Sequence, residues 1–182
     1  MRIIAGRFRG RRLVAPAGAE TRPTADRARQ ALFDMLMHAP WAEGAVRDAA
    51  VLDVFAGTGA LGLEALSRGA ASATFMESGR AALASLRANI AACGADALCR
   101  VVAADARVPP PGQPCGLVFL DPPYGQDLVP AALTALARAG WVAPGALVVA
   151  EVAAADPAPT EAPLLAERQH GAARFCVWRG KA

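Results

Sequence analysis

Histidine, cysteine and lysine are scarce in this 182-residue chain, and long apolar runs are missing. The two histidines, His38 and His170, lie far apart near the ends of expected elements, so they read as solvated or packed side chains. Four cysteines, Cys93, Cys99, Cys115 and Cys176, form no CxxC pair and read as buried free thiols, with no metal site expected. No apolar stretch reaches the roughly 18 residues that a membrane-crossing helix needs, because Gly, Pro or a charge interrupts each one. The basic start, MRIIAGRFRGRRL, lacks the apolar core and cleavage site of a secretory signal. Low-complexity tracts are absent despite 17 glycines and 14 prolines, which excludes global disorder. What is present, 54% apolar residues over 182 positions, suits one domain with at most a small appendage and a proper core. These features point to a soluble cytoplasmic protein with no membrane partner.

Charge is unevenly placed. Residues 1–29 carry eight arginines (Arg2, Arg7, Arg9, Arg11, Arg12, Arg22, Arg27, Arg29) against Glu20 and Asp26, while the remainder of the chain is mildly acidic. A basic head on an acidic body suits a polyanionic partner. The excess of arginine over the single lysine carries no functional weight.

The β-prone runs 2–5 and 12–15, joined through Gly6 and Gly10, predict a hairpin. Thr24 is placed to cap a helix that continues to Pro40 with Ala28, Leu32, Met35 and Leu36 on one face. Residues 1–40 therefore form an expected N-terminal extension, and 41–182 the main domain. That domain alternates strands (50–55, 72–77, 98–105, 116–121, 146–152) with helices, the first helix closing at Gly69. Two β-prone runs follow at 164–169 and 173–178. Near-continuous apolar strands spaced by helices predict a doubly wound α/β sheet, mostly parallel, with an antiparallel C-terminal strand and ligands at the carboxyl strand ends.

Two motifs carry chemistry. Asp53-Val-Phe-Ala-Gly57-Thr-Gly59-Ala-Leu-Gly62 stands at the first strand-to-helix turn, where glycines allow a tight turn and close approach to a ligand. Together with Glu77 at the end of the second strand, it fits a dinucleotide or S-adenosylmethionine, and Asp53 before the glycines leans towards the cationic latter. Asp121-Pro122-Pro123-Tyr124 ends the fourth strand on the same edge. Its prolines hold the loop rigid, so the Asp121 carboxylate and the Pro122 carbonyl can grip both hydrogens of an exocyclic base amine while Tyr124 offers a stacking face. Asp105 stands where an acceptor meets an adenine amine, Asn89 reads as a solvated helix residue, Glu151 as a partner for some arginine, and Arg27 and Arg29 as phosphate or site-organising groups.

With RIIAGRFRGRRL, RPTADRARQALFDML, LDVFAGTGALGLEALSRGA, Glu77 and FLDPPYG together, nearly the whole chain resembles the bacterial RsmD family of small-subunit rRNA methyltransferases. The resemblance implies a class I methyltransferase fold that uses S-adenosylmethionine to methylate the N2 amine of guanine 966 in 16S rRNA, on the 30S subunit or a late assembly intermediate. It implies cofactor contacts from Asp53, Phe55, Ala56, Gly57, Gly59, Glu77, Ser78 and Asp105, and base contacts from Asp121, Pro122, Pro123 and Tyr124. It implies RNA contacts from Arg7, Arg9, Arg11, Arg12, Arg27 and Arg29, with a monomer as the default. The match departs after Glu77, where Ser78-Gly79 stands in place of a second acid, so the ribose contact rests on Glu77. The alternatives are an N6-adenine nucleic-acid methyltransferase and a non-catalytic ribosome-assembly factor on the same fold.

Overall fold

The computed structural model describes residues 1–16, 23–42, 44–123, 125–160 and 162–180. Its frame is a seven-stranded sheet of β1 (Ala50–Val54), β2 (Ser72–Glu77), β3 (Cys99–Ala103), β4 (Cys115–Leu120), β5 (Val142–Ala153), β6 (Ala166–His170) and β7 (Ala173–Arg179). The strands lie in the order β3-β2-β1-β4-β5-β7-β6. The first five are parallel, and the β6–β7 pair closes the edge antiparallel. Four α-helices accompany them among the described residues: α1 (Pro23–His38), α2 (Ala60–Ser67), α3 (Arg80–Cys93) and α4 (Leu128–Arg138). No helix among the described residues is long and apolar enough to cross a membrane.

Apolar continuity along the central strands follows from burial on both faces. Alternate side chains sort into two cores. Val51, Phe75, Leu117, Phe119, Leu147 and Val149 pack against residues of α1, α2 and α3 on one face. Leu52, Met76, Val118, Leu120 and Val148 meet α4 residues and Trp141 on the other. The chain reverses direction across the sheet between β1 and β4, a topological switch point, and ligands of such sheets bind outside the carboxyl ends there. Helix α2 ends as expected: Gly69, at φ 108°, donates to the Leu66 carbonyl at 3.2 Å, and Ala70 donates to Ala65 at 3.0 Å.

Four expectations need amending. Helix α1 already includes Thr24, starting at Pro23, whose missing N–H costs nothing in a first turn; the Thr24 side chain lies outside the described residues. Strand β5 begins at Val142 rather than Ala146, because Val142 pairs with Cys115 across a register shift that absorbs Pro144 and Gly145. The hairpin forms, with the Ile3 N–H donating to the Arg11 carbonyl and the Gly10 N–H to the Ile3 carbonyl at 2.9 Å each, but its strand pairing is confined to one antiparallel bridge, Arg2 to Arg12, and the N–H groups of residues 4, 5, 7 and 8 go to α2. Asn89, expected on a solvated face, is fully buried: it accepts the Val14 N–H at 2.8 Å and donates to the Val14 and Thr58 carbonyls at 2.9 Å each. It joins the head to the glycine turn.

Glu64 of α2 anchors the head. Fully buried, it accepts the Ile4 N–H at 2.8 Å, the Ala5 N–H at 3.1 Å and Arg68 Nε at 2.7 Å, and Arg29 Nε lies 3.8 Å away. Ser67 Oγ accepts the Phe8 N–H at 2.9 Å, and the Ser67 carbonyl accepts the Arg7 N–H at 2.9 Å. The approach is so close that a Cβ on Gly6, at φ 77°, would stand 1.8 Å from the Ser67 carbonyl oxygen. Only glycine fits. Glu64→Ala removes the buried acceptor of two head N–H groups and of Arg68 Nε, and is expected to cost about 3–5 kcal/mol in urea denaturation; a loss below about 1 kcal/mol would show that the head docks by other means.

Candidate active site

The turn after β1 is built from left-handed residues: Phe55 at φ 59°, Gly57 at 54° and Gly59 at 78°. Gly62, in the first turn of α2, packs so tightly that a Cβ would sit 2.4 Å from the Phe75 ring. Its N–H goes to Asp53 Oδ2 at 2.8 Å. Glu77, at the end of β2, takes three more backbone donors: Gly57 at 2.8 Å on one oxygen, and Ser78 at 2.9 Å and Gly79 at 2.7 Å on the other. These bonds hold the turn against the start of α3. They leave the Glu77 carboxylate about one of its four acceptor positions for a ligand.

Asp53 sits between Phe75 and Phe119 in the register of the sheet and is 2% exposed. Burial, opposed by the Gly62 hydrogen bond and helped by the charge of Glu77, pushes its carboxyl up to about 7. Asp121, directly after β4, opens onto the cavities and keeps accessible surface, which discounts the desolvation it feels. Enclosure by the strand ends is still the leading cause, and the charges of Glu151 and Asp53 act in the same direction. Its carboxyl therefore stays well above the usual range. Asp105 behaves oppositely. It is held by Arg107 through contacts of 2.7 to 3.2 Å and lowered to about 2, chiefly by those hydrogen bonds.

Two cavities meet along this edge. One, of about 480 Å³, is walled by Met1, Ala28 and Arg29 of the head, by Asp53 and Phe55–Thr58, by Asp121 and Glu151, and by the β6–β7 turn from His170. The other, of about 490 Å³, is walled by Glu77, Ser78, Asp105, Arg107, Pro122 and Pro123. Phe55 and Asp121 belong to both.

The structure thus brings Asp53, Phe55, Ala56, Gly57, Glu77, Ser78, Asp105, Asp121, Pro122 and Pro123 to the walls of these two cavities. Gly59 lines neither cavity; a Cβ there would meet Leu86 at 2.5 Å, so the turn packs closely against α3 at this point. Tyr124 lies outside the described residues. Arg7, Arg9, Arg11, Arg12 and Arg27 are exposed. Arg29 is corrected: 4% exposed, it donates to Asp26 at 3.0 Å and to the Arg2 carbonyl, so it organises the site and cannot grip a phosphate. Glu151 and His170 were not expected in a site. Only the sheet order, which sets β5 beside β4 and folds β6–β7 back, brings them there.

The donor set separates the two ligands that the glycine motif leaves open. A pyrophosphate needs free N–H groups at the turn, but Gly57 and Gly62 have given theirs to carboxylates. A row of acids along the strand ends favours a cationic ligand instead. S-adenosylmethionine, with its sulfonium and ammonium charges, fits these residues.

Comparison with known proteins agrees. The family model for conserved hypothetical protein 95 matches residues 1–179. Ribosomal RNA small subunit methyltransferase D of Escherichia coli K12 is 41% identical over 162 residues, 88% of this chain and 78% of that protein. Its namesake in Haemophilus influenzae is 34% identical over 186 residues, 98% of this chain and 93% of that protein. The solved structure of a putative methyltransferase, yhhF from Escherichia coli, superposes with a TM-score of 0.83 at 39% identity, covering 100% of this chain and 98% of that one.

The raised Asp53 carboxyl has a consequence for stability. Below about pH 4 it is protonated folded and unfolded alike; between its ordinary 3.8 and about 7 only the folded state holds the proton. Stability should therefore fall as pH rises through this window, by on the order of a few kcal/mol by pH 8. Urea denaturation at pH 5 and pH 8 should show a smaller difference in Asp53→Asn than in the unaltered protein. Equal differences in the two would contradict the assignment.

Proposed function

The chain belongs to the RsmD family of ribosomal RNA small subunit methyltransferases, and from that membership we propose that it methylates the exocyclic N2 amine of a guanine in 16S rRNA, guanine 966 by family resemblance. It is an S-adenosylmethionine-dependent rRNA methyltransferase. The finer reading takes as substrate the 30S subunit or a late assembly intermediate, in the cytoplasm, with a single chain as the acting unit. The observation that carries it is the position of Asp121, at the end of β4 and in the wall of both cavities, with Asp53 on one side and Glu151 on the other.

Bound, S-adenosylmethionine supplies an electrophilic methyl group on a sulfonium. Glu77 would hold its ribose with the acceptor position left over, Asp105 would face its adenine, and Asp53 with the 55–57 turn would face its cationic end. In the acceptor half, the Asp121 carboxylate and the Pro122 carbonyl each accept one hydrogen of the base amine. That grip draws the nitrogen lone pair out of conjugation with the ring and aims it. The elevated carboxyl of Asp121 makes it a competent acceptor for the proton that the methylated amine sheds. Most of the acceleration comes from holding two partners in line. The rigid Pro122-Pro123 loop serves that end.

Arg7, Arg9, Arg11, Arg12 and Arg27 supply a cationic surface for phosphates, and residues 1–40 serve as the RNA-gripping extension. Such contacts give affinity and salt dependence with little sequence information. An unstacked loop nucleotide reaches the cavity more cheaply than a paired one.

Tritium transfer from labelled S-adenosylmethionine tests the reading. Small subunits from cells lacking this protein, naked 16S rRNA and duplex DNA are offered side by side, and the product is digested to nucleosides. Label in N2-methylguanosine from particles is expected, and Asp121→Ala should abolish it. Label in adenine or in DNA would overturn the guanine reading, and no label at all would favour an assembly factor. In the same assay at graded salt, removing Arg9 and Arg12 should lower the slope of log affinity on log salt by about one per arginine. An unchanged slope would remove the head from the interface.

A further inference from the structure

We propose that Glu151 selects the target base as guanine, by accepting the ring N1–H while Asp121 holds the adjacent amine. This rests on the guanine reading above and adds the residue that enforces it.

The placement follows from the sheet. Leu120 of β4 pairs with Ala150 of β5, so the next residues, Asp121 and Glu151, stand at one level on neighbouring parallel strands. Adjacent strands lie about 4.8 Å apart, a separation that neighbouring groups along one edge of a base can bridge. Leu120 and Ala150 belong to the core on the α4 side, so alternation turns both acids to the opposite face, the face of Asp53. The cavity between head and sheet carries the consequence: Asp53, Asp121 and Glu151 all line it. Along the sheet edge the acids run Glu77, Asp53, Asp121, Glu151 on β2, β1, β4 and β5. Glu151 is thus on the far side of Asp121 from the two acids assigned to the cofactor.

Base chemistry then decides what Glu151 reads. Beside its exocyclic amine, guanine presents N1–H, a donor. Beside theirs, adenine and cytosine present a ring nitrogen lone pair. A carboxylate next to the amine-gripping pair therefore completes a second hydrogen bond with guanine and meets a lone pair in the others. Rejection by an unpaired or repelled acceptor is a stronger filter than shape alone. The electrostatic coupling between Glu151 and Asp121 agrees with their closeness.

The test uses small subunits reconstituted with either guanine or 2-aminopurine at the target position. 2-Aminopurine keeps the C2 amine and replaces N1–H with a lone pair. The unaltered protein should prefer guanine in kcat/KM by about 100-fold. Glu151→Gln offers an amide N–H to that lone pair, so the preference should shrink to about tenfold or less, with guanine turnover falling. Glu151→Asp keeps a carboxylate and should retain the preference even if the rate drops. A Glu151→Gln preference equal to that of the unaltered protein overturns the proposal whatever happens to the overall rate, because a purely structural role lowers both substrates together. Label on adenine by the unaltered protein would instead overturn the guanine reading itself, and this inference with it.

Discussion

The docking of the head onto α2 depends on one buried carboxylate. Glu64 collects two backbone N–H groups from residues 4 and 5 and is flanked by Arg68 and Arg29. Removed from water, it is tolerable only because each of those donors is present. The geometry downstream follows from it. With the head fixed, Met1, Ala28 and Arg29 become one wall of the cavity that holds Asp53, Asp121 and Glu151. An arginine-rich segment that charge alone would leave in solvent is thereby built into the site, with Arg7, Arg9, Arg11, Arg12 and Arg27 left exposed.

Along the carboxyl edge the governing constraint is like charge. Four acids stand on four consecutive strands of the sheet, and the protein manages them differently. Glu77 is held by three backbone donors and Asp53 by one donor and a proton near neutrality, while Asp121 lies between charges that raise it. Such a row resists anions and rewards cations. The same donors that hold the glycine turn together also withdraw it from pyrophosphate binding, so one set of hydrogen bonds fixes both the backbone and the ligand class.

Much of this was legible in the sequence, and the parts that were not have a common cause. The strand 72–77 coincides with β2, because apolar runs bounded by Gly and charge mark buried parallel strands. The glycine turn and Asp121-Pro122-Pro123 carried their positions in local spacing. Asn89 was misjudged, and the places of Arg29 and Glu151 in the cavity wall were hidden, because each acts over long sequence distances: 75 residues from Asn89 to Val14, and a strand pairing for Glu151 that sequence order hides. A polar residue on a helix reads as solvated until the segment that buries it is known. Arg29 differs from Arg27 only in the face of α1 that it occupies, and Glu64 decides that face.

The central claim is a division of labour along the sheet edge, with Glu77 and Asp53 serving the cofactor and Asp121 and Glu151 the acceptor base. Titration calorimetry of S-adenosylhomocysteine against four single variants measures it directly. The account predicts that Glu77→Ala and Asp53→Asn weaken binding by about tenfold or more, while Asp121→Ala and Glu151→Gln stay within about threefold of the unaltered protein. Comparable losses at all four positions would contradict the division and make the edge a single undivided binding site.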